Sequence, residues 1–129
     1  MNKRAALLGI AGFVLVQPAL AHHSIAMFDA AKTVTLSGTV RIFQWTNPHS
    51  FIQLMVPGAT GPLEWSIEMG SPGLLYRGGW RPGTLKPGDK ITVVINPNLD
   101  RSSGGLLSSA IAADGHQLGN KKLAKPARE

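Results

Sequence analysis

The chain contains no cysteine, so disulfide bonds, thiolate metal sites and cysteine nucleophiles are excluded. Packing alone must then stabilise the fold in an oxidising compartment. The metal ligands that remain are histidine, carboxylates, methionine and a free α-amine. Only four histidines are present, so any metal site has few candidate ligands.

The familiar catalytic signatures are also missing. The sequence has no G-x-S-x-G elbow, no Walker glycine loop and no H-E-x-x-H motif. Ser24 follows His23, but no carboxylate is positioned to orient that histidine as a base. Glu64 and Glu68 would be about 13 Å apart on an extended strand, which is too far for a paired-carboxylate site. We therefore predict that the protein is not an enzyme.

Positive charge is in excess, with 13 Lys and Arg residues against 7 Asp and Glu residues. These basic residues are scattered, except for Lys121, Lys122, Lys125 and Arg128 at the end of the chain. Because no basic stripe is available to track phosphates, we predict no nucleic-acid partner. Residues 119–129 are expected to form a flexible basic tail.

Long apolar runs are absent after the first segment. Residues 5–16 are apolar or small, follow Lys3 and Arg4, and precede an Ala-x-Ala pattern that ends at Ala21. This is typical of a secretory signal peptide and is shorter than the roughly 20 residues of a membrane-spanning helix. We predict a signal peptide over residues 1–21, cleaved after Ala21, a periplasmic location and no membrane span after cleavage.

The remaining chain has the size of one domain and the pattern of a mainly β fold. Residues 33–45 alternate between apolar and polar, residues 50–56 and 63–69 form a hairpin, and residues 90–95 and 106–113 are two further strands. A short helix is expected after the N-cap residue Ser71, ending at Gly78 and Gly79. Five strands with a helix between strands 3 and 4 predict a small OB-like barrel over residues 22–118, with another β-sandwich as the alternative.

Gly38 interrupts the middle of the first predicted strand. Glycine weakens a strand unless the strand bends or bulges there. We therefore expect a bend at Gly38 that helps to curl the sheet.

Cleavage after Ala21 would give His22 a free α-amine beside its imidazole. Both nitrogens can bind one Cu(II) ion, as in a histidine brace, and His23 or His49 could complete the site. His49 follows Asn47 and Pro48 at a rigid corner, although its imidazole would serve equally well as a hydrogen-bonding group of that corner.

Further candidates for this site carry weaker signals. Glu68 could face His49 as a ligand or as a group that orients it. His116 follows a turn near the end of the chain, where an exposed histidine needs no function. Met55 and Met69 are better explained as core residues than as thioether ligands.

The aromatic residues suggest a different function. Trp45, Trp65 and Trp80 could form a stacking face for a partner, although aromatic residues more often fill or cover a core. A metal-free interaction module of this kind would bind an envelope protein, a glycan or a small ligand.

A set of short motifs extends over nearly all of residues 22–129: His22-His23-Ser24, Phe28-Asp29, Leu36-Ser37-Gly38-Thr39-Val40, Trp45-Thr46-Asn47-Pro48-His49, Trp65-Ser66-Ile67-Glu68, Gly70-Ser71-Pro72, Leu75-Tyr76-Arg77-Gly78-Gly79-Trp80, Leu85-Lys86-Pro87-Gly88-Asp89 and Asp114-Gly115. With these motifs the chain resembles a family of exported bacterial proteins known as domain of unknown function family 6152. The resemblance implies a small periplasmic β-barrel-like domain and supplies no activity.

Two functions are therefore expected from the sequence. The first is copper sequestration or delivery through His22, His23 and His49, with Glu68 or His116 as additional candidates. The alternative is a metal-free interaction module that uses its aromatic face. If residues 22–31 are structurally ordered, they can form a built metal site; if they are disordered, metal binding there is incidental. The sequence does not distinguish these two cases.

Overall fold

The computed structural model describes residues 25–119, and these residues form a mainly β fold. The elements are β1 (Val34–Gln44), β2 (Phe51–Val56), β3 (Leu63–Glu68), α1 (Pro72–Arg77), β4 (Lys90–Pro97), β5 (Gly104–Ala112) and β6 (Gln117–Leu118). The predicted strands and the helix are all present, with bounds that differ by a few residues. The two-residue strand β6 was not predicted. The signal peptide predicted over residues 1–21 lies outside the described residues.

The strands close into a five-stranded barrel. β1 pairs antiparallel with both β2 and β4, β2 pairs with β3, and β4 pairs with β5. The parallel pairing of β3 with β5, from Ser66–Gly104 to Glu68–Leu106, closes the circle. With one short helix between β3 and β4, this is the OB-like barrel that the sequence predicted. β6 extends the sheet beyond β5.

β1 contains a bulge, and it lies three residues beyond Gly38. The register against β2 shifts between Val40 and Ile42, so the bulge lies at Arg41 and not at Gly38. Beyond the bulge the alternation changes face: Ile42 is 38% exposed, whereas Phe43 packs against the core. A bulge adds one residue to a strand and so exchanges the faces of all residues that follow it. Gly38 instead permits a close approach to β2, where a Cβ atom would lie 2.4 Å from the carbonyl oxygen of Met55.

Helix α1 forms as its capping residues predict. The side chain of Ser71 accepts a hydrogen bond from the N–H of Leu74, and Pro72 occupies the first turn. Leu75 is buried, and its carbonyl accepts a hydrogen bond from the N–H of Trp80. The helix therefore ends in a turn that places Trp80 in the core.

The core fills the barrel and continues beneath the helix. Its largest fully buried apolar side chains come from four strands: Val40, Ile52, Leu54, Ile67, Val93 and Ile95. Met69 is buried, as expected, whereas Met55 on β2 is only half-buried. Within residues 25–119 the structure has no helix that is long and apolar enough to span a membrane.

The segment before β1 is attached to the barrel. Residues 25–27 form one turn of 3-10 helix, and Phe28 makes an isolated β-bridge with Asn98. The N–H of Asp29 donates to the carbonyl of Pro97 at 2.8 Å, and the N–H of Leu99 donates to the carbonyl of Met27 at 3.0 Å. The chain is therefore held against the end of β4 for several residues before β1 begins.

Candidate functional site

The loop between β1 and β2 carries His49 and is held by hydrogen bonds within itself. The hydroxyl of Thr46 donates to the carbonyl of His49 at 2.7 Å, and the N–H of Thr46 donates to the hydroxyl of Ser50 at 3.3 Å. The Asn47–Pro48 peptide bond is cis. These contacts fix the backbone on both sides of His49, as expected of a rigid corner.

Ser50 connects this loop to the end of β3. It is completely buried, its N–H donates to the carbonyl of Gly70 at 3.1 Å, and its carbonyl accepts from the N–H of Met69 at 2.8 Å. The backbone next to His49 is therefore positioned by the segment that follows Glu68.

His49 and Glu68 form the central contact of the site. The Nδ1 atom of His49 lies 2.5 Å from Oε1 of Glu68, and their side chains are 30% and 16% exposed. An ionised carboxylate can only accept a hydrogen bond, so the proton of a neutral imidazole is placed on Nδ1 and the lone pair on Nε2. Metal-binding histidines are commonly oriented by a carboxylate in this way.

Strand alternation explains why Glu68 is available for this contact. Ile67 and Met69 point into the core, so Glu68 points outward on β3, where its neighbours are Phe51 of β2 and Leu106 of β5. Glu64 has the same orientation but lies at the other end of β3, where it forms an ion pair with Arg41. The two carboxylates therefore have separate partners.

His116 lies far from this contact. The β5 neighbour of Glu68 is Leu106, whereas the carbonyl of His116 accepts from the N–H of Ala112 at the opposite end of β5, about 20 Å away by strand rise. Its Nδ1 atom lies 2.5 Å from Oδ1 of Asp114 on the exposed surface. Hydrogen bonds from the backbone N–H and the ring of His116 lower the pKa of Asp114. His116 and His49 are therefore not parts of one site.

The leading residues of the predicted copper site, His22 and His23, lie outside the described residues. Among the residues that the structure describes, no three His, Asp or Glu side chains are grouped so that they could hold a metal ion. The structure brings together two of the predicted site residues, His49 and Glu68, and leaves His116 apart.

The three tryptophans do not form one surface. Trp80 is only 5% exposed and packs near Phe43, with ring centroids 6.0 Å apart. Trp45 packs edge-on against Phe43, with ring centroids 5.8 Å apart. Trp65 is partly buried and lines a separate cavity beside the loop between β4 and β5. Trp80 therefore belongs to the core, where aromatic residues more often lie.

That cavity was missed by the sequence reasoning. Besides Trp65, its lining includes Asp29 and Lys32, which precede β1, and Arg101 in the loop between β4 and β5. These residues come from distant parts of the sequence, and no motif connects them. The one local signal is the run Asn98-Leu99-Asp100, whose polar residues are typical of a structured turn.

Comparison with known proteins identifies a family. Residues 12–109 match the model of DUF6152, which is described as a family of unknown function. No curated protein matches the chain. A similar solved structure is that of the mitochondrial single-stranded DNA binding protein Rim1 from S. cerevisiae, with a TM-score of 0.47 and 10% sequence identity, covering 69% of this chain and 95% of that one.

Proposed function

The chain belongs to this family of unknown function, DUF6152, and we propose that it is a periplasmic copper-binding protein for sequestration or delivery. Cleavage of a signal peptide after Ala21 would expose the amine and imidazole of His22. The observation that supports the proposal is the contact between His49 and Glu68, which favours the lone pair of His49 on Nε2.

The position of the N-terminal segment also supports the proposal. Glu68 is aligned with Leu106 of β5, and Leu106 is aligned with Asn96 of β4. Phe28 is bridged to Asn98, two residues beyond Asn96. The segment therefore enters the barrel at the same end as Glu68, and the chain between Phe28 and His22 can span up to about 20 Å when extended.

The proposed ligands, His22, His23 and His49, fit Cu(II) better than other divalent ions. An amine and imidazoles are nitrogen ligands, for which Cu(II) has the highest affinity among the first-row divalent metals. In this proposal His22 supplies two nitrogens, His49 supplies Nε2, and His23 is an alternative ligand. Glu68 orients His49, and the role is binding rather than turnover.

A Cu(II) titration of the protein beginning at His22, by calorimetry and electron paramagnetic resonance, tests the proposal. We expect tight one-to-one binding that is weakened by His22→Ala and by His49→Ala. His116→Ala is the matched control, because His116 also contacts a carboxylate but lies at the opposite end of β5. If binding depends on His22 and His23 but is unchanged in His49→Ala, the N-terminal residues bind copper only incidentally.

The alternative function, a metal-free interaction module, is favoured by a different observation. Trp65 lines a cavity of about 320 Å³, which is large enough for a small ligand. In this function Trp65 would provide the aromatic contact that the sequence suggested for Trp45, Trp65 and Trp80 together.

A further inference from the structure

The cavity beside Trp65 is built from one aromatic ring and several polar side chains. It lies between the segment that precedes β1 and the loop that joins β4 to β5, and its polar lining comprises Asp29, Lys32, Asn98, Arg101 and Ser102. Ligand sites commonly combine an apolar wall with a few well-placed polar groups in this way.

Trp65 forms a wall that is fixed before any ligand binds. It packs against the core, and its strand neighbour Leu54 is completely buried. A tryptophan ring offers a large apolar area with few rotatable bonds, so little conformational entropy is lost when a flat ligand lies on it.

The loop on the other side of the cavity is held by its own hydrogen bonds. The amide of Asn98 donates to the hydroxyl of Ser102 at 2.9 Å, and that hydroxyl donates to Oδ1 of Asp100 at 2.6 Å. The N–H of Ser102 donates to the same carboxylate oxygen at 2.9 Å. A loop that is ordered in advance loses less entropy on binding.

Arg101 lies in the middle of this loop in a left-handed conformation, with φ of 64°. Such a conformation costs free energy for a residue other than glycine, and residues of this kind are concentrated at ligand sites. A large side chain at this position therefore points to a role for the guanidinium group.

The charges of the cavity do not cancel. Lys32 Nζ lies 3.3 Å from Oδ2 of Asp29, so these two charges largely balance each other. Arg101 forms no ion pair with any carboxylate in the part of the chain that the structure describes. One guanidinium group therefore remains to bind an anionic group, and its planar fork matches a carboxylate.

We propose that this cavity binds a saccharide unit that carries a carboxylate, with one face of the sugar ring on Trp65 and the carboxylate on Arg101. Asn98 and Ser102 supply polar groups for the sugar hydroxyls. The proposal rests on the alternative function, the interaction module, and names its ligand class; it is independent of copper binding.

The composition of the cavity favours a saccharide over a nucleic-acid strand. Strand binding uses several aromatic rings in succession along a basic groove. Trp65 is the single aromatic residue among the described residues that line this cavity, and Asp29 places a carboxylate on its rim. Among the described residues that line the cavity, a chain of phosphates would find one aromatic ring and one cation without an ion pair, Arg101.

Nuclear magnetic resonance of the three tryptophan indole N–H groups tests the proposal. The probes are tri-galacturonate, the neutral trisaccharide maltotriose and a thymidine hexanucleotide, each titrated into the ¹⁵N-labelled protein. We expect tri-galacturonate to shift the Trp65 signal saturably, maltotriose to bind more weakly, and the hexanucleotide to cause no saturable shift. Trp65→Phe assigns the signal while keeping an apolar ring in the core.

Arg101→Gln should weaken tri-galacturonate binding about tenfold or more, because a hydrogen-bonded charge pair is lost. Arg77→Gln is the matched control, since Arg77 is an exposed arginine at the end of α1. His49→Ala should leave tri-galacturonate binding unchanged, so failure of the copper site and failure of this site are distinguishable. Equal binding of maltotriose and tri-galacturonate, tighter binding of the hexanucleotide, or no shift of the Trp65 signal would each overturn the proposal.

Discussion

Gly38 of β1 and Met55 of β2 approach each other so closely that a Cβ atom on Gly38 would lie 2.4 Å from the carbonyl oxygen of Met55. The same Cβ would lie 3.0 Å from Leu54, which is completely buried. Neither the strand backbone nor a packed core side chain can move away cheaply.

We therefore expect Gly38→Ala to lower the free energy of unfolding by about 1–3 kcal/mol, as overpacking usually does. Urea denaturation measures the effect. Gly73→Ala in α1 is the matched control, because a Cβ atom there meets nothing within 4 Å. That substitution should be neutral or slightly stabilising, since alanine favours helices. Equal stability of the two variants would contradict the steric explanation.

Glu68→Gln keeps the size of the side chain but replaces a carboxylate, which can only accept hydrogen bonds, with an amide that can also donate and so no longer selects the tautomer of His49. If His49 binds copper, this substitution should weaken Cu(II) binding about 10- to 100-fold, as is typical for a carboxylate that orients a metal-binding histidine. The same calorimetric titration measures the change. Glu64→Gln is the control, because Glu64 pairs with Arg41 away from His49. An unchanged affinity in Glu68→Gln would leave Glu68 without a role in the site.

Asn96 anchors the segment that precedes β1. Its buried amide, 8% exposed, donates to the carbonyl of Lys32 at 2.7 Å and to that of Asp29 at 3.4 Å. Asn96→Ala should cost about 1–3 kcal/mol, because two partly buried hydrogen bonds from the amide are lost. It should also speed hydrogen exchange at the N–H of Asp29.

The exposed hydrogen bond between Ser37 and Thr92 provides the comparison for Asn96. Its oxygens lie 2.8 Å apart on the surface, so Ser37→Ala should change the stability by no more than about 0.5 kcal/mol. If Asn96→Ala left hydrogen exchange at Asp29 unchanged, the segment would be held by contacts other than this amide.

The loop between β4 and β5 should loosen in acid. Hydrogen bonds from the hydroxyl and the N–H of Ser102 lower the pKa of Asp100 below its ordinary value of 3.8. A carboxylate whose pKa is lower in the folded state stabilises the fold above its unfolded pKa, and this contribution is lost as the pH falls through the lowered value. Carbon-detected magnetic resonance of the Asp100 carboxyl measures this pKa.

Ser102→Ala should return the pKa of Asp100 towards 3.8, because it removes the first of these hydrogen bonds. Ser103→Ala changes a neighbouring serine and should have no effect. A pKa of Asp100 at or above 3.8 in the unchanged protein would rule out this description of the loop.

Local sequence signals predicted the strands and the helix well. The alternation in β1, the turn residues between β2 and β3, and the capping residues Ser71 and Gly78 each act over a few neighbouring positions. The barrel was predicted from the order of these elements. Its closure by Ser66 against Gly104 depends on a long-range contact that no local pattern records.

The sites were harder to predict for the same reason. Strand alternation gives the side of β3 on which Glu68 lies, but its distance to His49 depends on the path of the loop between β1 and β2. The burial of Trp80 depends on the turn after α1, and the bulge at Arg41 moves Phe43 to the core face. The cavity beside Trp65 combines segments that only the folded barrel brings together.

The parallel pairing of β3 with β5 also sets a minimum length for a chain that can fold. The fifth barrel strand, Gly104–Ala112, is the one that covers the open sides of both β3 and β4. A nascent or truncated chain that stops before Gly104 would retain two unpaired strand edges, which are prone to join with other chains. Chaperones and proteases should therefore recognise every chain that ends before Gly104. They should no longer bind once β5 has paired with β3 and β4.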